Sequence, residues 1–123
     1  MVKGPKRVRV DMHTHSEASP DSRTPIAEEA RGVRAAGIDV ICATDHNTID
    51  GALRLRELAD GFRVIVGEEI SSRDGEIIGL FLESAIPRED LVILEIEKTV
   101  RGVGKRDIVP TVVEAHRHRH AAR

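Results

Sequence analysis

"IDVICATD", residues 38–45, is a nearly unbroken apolar run closed by a threonine and an aspartate. A strand with one wet face alternates; a continuous run of this length predicts a strand buried on both faces, as in a helix-covered parallel sheet. The neighbouring segments fit that frame. Upstream, "RVRVDM" (7–12) predicts a short strand with Val8, Val10 and Met12 on one face. Between the two, Thr24 reads as a helix N-cap, Pro25 as the first helical residue, and Glu28 and Glu29 as first-turn acids suited to the helix dipole. "PIAEEARGVRAAG" then sets Ile26, Ala30, Val33 and Ala36 along one stripe, with Gly37 as the stop. Downstream, Thr48 reads as the cap of a second helix, "IDGALRLRELAD", which turns Leu53, Leu55, Leu58 and Ala59 inward and ends at Gly61. "FRVIVGEEISS" (62–72) is a third strand, and Asp74-Gly75 is a hairpin turn into "EIIGLFLE" (76–83). Alternating βαβαβ with short connections predicts a parallel sheet with right-handed crossovers.

The pattern fades after Pro87. "REDLVILEIEKTVRG" (88–102) reads as a less regular helix, and "DIVPTVVEA" (107–115) as a strand that Pro110 demotes to an edge. "HRHRHAAR" is expected to be a frayed basic tail. The chain thus divides into residues 1–87, which hold the motifs, and a divergent segment, 88–123.

At 123 residues the chain is one ordinary domain, short for an eight-stranded barrel of about 250 residues. Its 40% apolar and 33% charged residues are globular values. A net charge of -2 does not advertise a nucleic-acid or membrane partner, and nucleic acid is expected only as a substrate. Two phenylalanines with no Tyr or Trp are too few for a base-stacking module. The single Cys42 reads as a small buried hydrophobe, which fits a reducing, cytoplasmic setting. No apolar run reaches membrane-spanning length.

Polar residues sit at the strand ends. Asp11, His13 and His15 share a spacing of two at the end of the first strand and are expected to point one way; Asp21 follows in the loop. Thr44, Asp45 and His46 end the second strand, and Glu68 and Glu69 the third. Singly, each motif has a bland reading: His-x-His as surface residues, "TDH" as a turn, "GEE" as a solvated acidic pair. In a parallel sheet the three ends share one edge, the edge where α/β folds bind ligands, and jointly they point to a metal site. Mixed imidazole and carboxylate donors favour zinc, manganese or iron over calcium. Donors of this number suit two or three divalent ions. Such clusters suit phosphate-ester hydrolysis, one ion acidifying a bound water while its neighbours clamp the phosphoryl oxygens.

"DMHTHSEASPDS", "ATDHNT" and "VGEEIS" resemble the first three motifs of the PHP (polymerase and histidinol phosphatase) family, and "DGEIIGLFL" is similar to its following hairpin. The resemblance covers roughly residues 7–87. It implies a distorted (β/α)7 barrel, present here as a partial, truncated α/β form, with a metal cluster at the strand ends and phosphoesterase activity on phosphomonoesters or nucleic-acid phosphodiesters. It also implies ligand roles for His13, His15, Asp21, His46 and Glu69, the last as a bridging carboxylate. Glu68 falls at the variable position of that motif, and Asp11, Asp45 and Glu68 are expected to stand behind the ligands, Asp11 and Asp45 orienting the histidines.

The family's second half normally adds a His-Pro strand end and a late Asp-x-His pair, and neither occurs here. His116, His118 and His120 are expected to belong to a solvated tail; the alternative is that one of them serves as a late ligand. A truncated longer enzyme is the expected account, with a homo-oligomer or a complementing chain as a route to a closed barrel. The competing functional reading is a non-catalytic metal-binding remnant. Arg73 in the hairpin is expected to be a solvated turn residue rather than a phosphate contact.

Overall fold

A computed structural model describes residues 7–86 and the strand at 111–117. Five strands and two helices run β1 (Val10–Thr14), α1 (Ile26–Ala35), β2 (Val40–Ala43), α2 (Asp50–Leu58), β3 (Arg63–Ser71), β4 (Gly75–Leu80) and β5 (Thr111–Arg117). They form one mixed sheet in the order β1-β2-β3-β4-β5. β1, β2 and β3 are parallel neighbours, and β4 and β5 are added antiparallel. The architecture is a curled, partial barrel, with α1 and α2 packed on one face of the sheet.

The apolar run at 38–45 lies where its pattern demands. Ile41 and Ala43 join Ile26, Ala30 and Val33 of α1 and Ala52 and Leu55 of α2 in the main core. Cys42 faces the other way, into a small cluster with Ile78 and Leu80. β3 alternates likewise. Val66 and Ile70 belong to the helix-side core, which places Glu68 between them on that side and sends Glu69 to the inner face.

Both helix starts differ from the sequence expectation. Thr24 makes no cap: α1 begins at Ile26 after Pro25, and the Ile26 amide donates to Glu17 Oε2 at 3.2 Å. Thr48 caps only locally, its Oγ1 accepting from the Asp50 amide at 3.1 Å, while Ile49 holds the cap position. The end of α1 follows the expected pattern. Gly37 has φ 68, its N–H donates to Arg34 O, and Ile38 N–H donates to Val33 O, a Schellman closure.

Other expectations are corrected. Ala36 and Leu58 are exposed rather than packed inward. Val8, Val10 and Met12 are about half exposed, and among the described residues β1 stands at the edge of the sheet. The basic run is not wholly a tail: β5 starts just after Pro110 and continues through Arg117, so His116 lies in a strand, paired by register with Glu76. The expected helix over 88–102, and His118 and His120, lie outside the described residues.

Glu68 yields a stability prediction. It is 1% exposed, its Oε1 accepts the Ile86 amide at 2.9 Å, and its Oε2 has no partner among the described residues. Burial raises its pKa from 4.5 to about 6, opposed by the Ile86 hydrogen bond. A carboxyl raised in the fold contributes fully below pH 4.5, and that contribution is lost as pH climbs through about 6. Glu68→Gln is therefore expected to be more stable than the parent above pH 7, by up to about 2 kcal/mol. Urea denaturation with chelator present, repeated from pH 4.5 to 8, checks both the gain and the flatter pH profile.

Candidate metal centre

Glu69 stands at the centre of the polar cluster. Its Oε1 lies 2.6 Å from His13 Nε2 and 3.0 Å from His15 Nε2, and those two nitrogens are 3.2 Å apart. Its Oε2 is 3.6 Å from His46 Nδ1. Asp21 meets the far sides of two rings: both of its oxygens are 3.0 Å from His15 Nδ1, and Oδ2 is 3.0 Å from His46 Nε2. The His15 and His46 rings meet edge to face, with centroids 4.4 Å apart. One strand carboxylate and one loop carboxylate thus bracket three imidazoles.

Backbone pairing creates this convergence. His46 forms a parallel bridge with Glu69, the Asn47 amide donates to Glu69 O at 2.9 Å, and the Glu69 amide donates to Asp45 O at 3.0 Å. Asn47 then turns the chain at φ 55, a left-handed conformation asparagine tolerates. Its side chain is taken up by Ser71, accepting from the backbone N–H at 2.9 Å and donating to Oγ at 3.2 Å. That clasp ties the end of β2 to the end of β3, setting His46 beside Glu69.

Asp11, His13 and His15 do not point one way. Asp11 pairs with Ile41 and Thr14 with Ala43, so β1 spends three residues where β2 spends two. This bulge shifts the phase of the strand. Asp11 and Thr14 share the helix side with Ile41 and Ala43, while His13 and His15 reach Glu69 on the inner side. Asp11 Oδ1 accepts the His13 amide at 3.2 Å.

Nor does Asp45 orient a histidine. It is buried on the helix side, accepting from the Ser16 amide and from Ser16 Oγ at 2.7 Å, and so it holds the loop after β1. Glu68, on the same side, reaches Ile86 instead of the ligands. Both corrections follow from strand alternation, which sends adjacent residues to opposite faces.

Two acids escaped sequence reasoning. Glu76 of β4 joins His46 and Glu69 in one donor group; counting register back through the hairpin, Ser71 opposite Glu76, would have found it. Glu29 lies on the helix side near Asp45, Thr14 and Asp11. Burial, followed by Asp45, pushes its pKa up to about 7. Its sequence context, a helix first turn, gives no hint of this.

Three groups have ligand atoms within 4.8 Å of one another: His13, His15 and Glu69; His15, Asp21 and His46; His46, Glu69 and Glu76. Tetrahedral donors about 2.0–2.1 Å from a zinc-sized ion stand roughly 3.3 Å apart, so the 2.6–3.2 Å spacings of the first group need only a slight opening. The donor set and its spacing fit a divalent cation.

Charge in the cluster is mutually supportive. Burial works against protonated His15, yet Asp21 and Glu69 outweigh it and raise its pKa above 6.5. The His15 hydrogen bond, with His46 nearby, lowers that of Asp21. For Glu69, burial is outweighed by hydrogen bonds from Glu76 and the histidines, and its pKa falls. An open cleft of about 430 Å³ adjoins the cluster, lined by Pro20, Asp21, His46, Asn47 and Ser71. A second, more apolar hollow of about 350 Å³, lined by Val64, Phe81 and Leu82 among others, lies at the opposite ends of the strands, away from the donors.

Residues 11–105 match the PHP domain. The chain belongs to the PHP domain family. It is 37% identical over 97 residues to the uncharacterized protein MJ1587 of Methanocaldococcus jannaschii, covering 66% of this chain and 54% of that protein. The PHP chain described here therefore spans about half the length of its curated relative. Its fold is similar to a solved structure from Bifidobacterium adolescentis, a protein to which metal-dependent phosphoesterase activity is ascribed. That similarity has a TM-score of 0.57 at 21% identity, covering 66% of this chain and 30% of the other. No helix among the described residues is long and apolar enough to cross a membrane.

Proposed function

We propose that this PHP chain is a metal-dependent phosphoesterase whose cation-binding centre is formed by His13, His15, Asp21, His46 and Glu69. One observation carries the reading: the Glu69 carboxylate lies 2.6–3.6 Å from imidazoles at positions 13, 15 and 46, brought in by the ends of β1 and β2. PHP membership and the activity ascribed to the B. adolescentis protein support it. Each donor group offers three protein ligands among the described residues, as catalytic sites do, whereas structural zinc sites are closed by four.

Bound zinc, manganese or iron ions would supply Lewis acidity toward a phosphoryl oxygen and a lowered pKa for coordinated water. The chain's own residues do the positioning. Glu69 offers one oxygen to each side of the cluster, Asp21 fixes the outer nitrogens of His15 and His46, and the Asn47–Ser71 clasp holds the cleft wall in register. The open cleft admits a phosphate ester from solvent, either a phosphomonoester or a nucleic-acid phosphodiester.

Protein loaded with Mn²⁺ or Zn²⁺ is expected to hydrolyse p-nitrophenyl phosphate or its bis ester, and to stop on chelation. Chelator is also expected to lower the melting temperature, since an ion bound only to the native state stabilises it. Retained metal with no turnover of either ester would leave a cation-holding module and sink the hydrolase reading.

A further inference from the structure

We propose that Glu76 is a metal ligand that closes, with His46 and Glu69, a second ion site beside the one formed by His13, His15 and Glu69. The proposal rests on the metal centre described above and deepens it. Glu76 comes from β4, outside the three strand ends that carry the motifs. Antiparallel register sets Ser71 opposite Glu76 and Glu69 opposite Ile78. Glu76 is thus the diagonal neighbour of Glu69 on the inner face, a separation that two long side chains bridge. Donor atoms of His46, Glu69 and Glu76 accordingly lie within 4.8 Å of one another.

Two features point to a cation there. Glu69 is buried and Glu76 half-buried, and a carboxylate oxygen of each lies within 4.8 Å of the other and of a His46 ring nitrogen. Two carboxylates this close repel, and a cation between them relieves the repulsion. The second feature is the division of labour at Glu69. Oε1 faces His13 and His15 while Oε2 faces His46, which is the arrangement of a carboxylate shared by two ions.

Asp21 completes the case. It sits 3.0 Å from His46 Nε2 and 3.0 Å from His15 Nδ1. Glu69 in turn faces the ring nitrogens that Asp21 does not contact, Oε2 standing 3.6 Å from His46 Nδ1 and Oε1 3.0 Å from His15 Nε2. The two ion sites then draw on different nitrogens and share only Glu69.

The test is a count of ions. Stripped protein titrated with Mn²⁺ is expected to bind two ions per chain and to show an exchange-coupled EPR spectrum. Glu76→Gln is expected to retain one, with the six-line spectrum of an isolated ion and a second binding step weakened more than about 100-fold, beyond the loss typical of an outer partner. Glu76→Lys places an ammonium where the second cation belongs. It is expected to raise the melting temperature of chelated protein while also binding one ion fewer, so the result does not depend on one variant folding. Two coupled ions in Glu76→Gln, or the same single ion in parent and variant, would overturn the proposal and leave the first site standing. A parent that binds no Mn²⁺ would remove the metal centre itself.

Discussion

Glu69→Ala is expected to abolish tight Mn²⁺ binding and to lower phosphoesterase turnover by about 10³-fold or more, because electrostatic stabilisation of the reacting group goes with the ions. Among the described residues no other reaches all three imidazoles: its oxygens contact His13 and His15 on one side and His46 on the other. The substitution should leave the fold in place, since Glu69 lies on the inner face and the helix-side core is formed by Val66, Ile70 and their partners. Metal analysis, ester hydrolysis and circular dichroism on the same preparation check the three parts.

The pH dependence of that site follows from its charges. Glu69 has a lowered pKa, so its contribution to apo stability is present above 4.5 and lost as pH falls below that value. His15 has a raised pKa, so its contribution is full below 6.5 and lost as pH rises through its folded value. The ion-free cluster is therefore most stabilising between those limits, and Glu69→Ala should erase that hump. Protons on His15 compete with the cation, so Mn²⁺ affinity of the parent should fall as the solution becomes acidic. An affinity independent of pH between 5 and 8 would contradict the assignment of His15 as a ligand.

The second large effect is steric. In Gly51→Ala the new methyl group would overlap Asp45 Oδ2 and lie 2.6 Å from Ser16 Oγ and 3.0 Å from Ala18 Cβ. Gly51 is in the first turn of α2, which presses against the buried Asp45 carboxylate and the loop after β1. There is no flexible side-chain end to yield, because Asp45 is held by Ser16 from two directions. A loss of about 3 kcal/mol is expected from overpacking and disturbance of a buried charged group. That is a large part of the 5–15 kcal/mol typical of a domain. Since the same loop leads to Asp21, the variant should also bind metal less well at temperatures where it remains folded. Thermal melts with and without Mn²⁺ separate the two effects.

Much of the candidate site was legible because the candidate donors sit at the ends of strands whose apolar patterns are strong. The run at 38–45 and the Gly37 stop locate β2, and the Asp74-Gly75 turn locates the hairpin. Once three strands are parallel, residues 13–15, 46 and 69 fall at one edge of the sheet, and the bulge in β1 then turns His13 and His15 to the inner face. Helix starts were less legible. Thr24 and Thr48 have the right residue type, but Glu17 from a distant loop position reaches the Ile26 amide first. A tertiary contact overrode a local signal.

The amino-acid sequence alone determined the order of elements, the shared strand edge and the chemical kind of the donors, because apolar periodicity and residue type are local properties of the chain. Tertiary structure decided which acid does what. A one-residue bulge in β1 turned Asp11 to the helix side, strand alternation parted Glu68 from Glu69, and hairpin register brought Glu76 to His46. Each of these depends on pairing between strands, where a shift of one residue reverses the direction of a side chain.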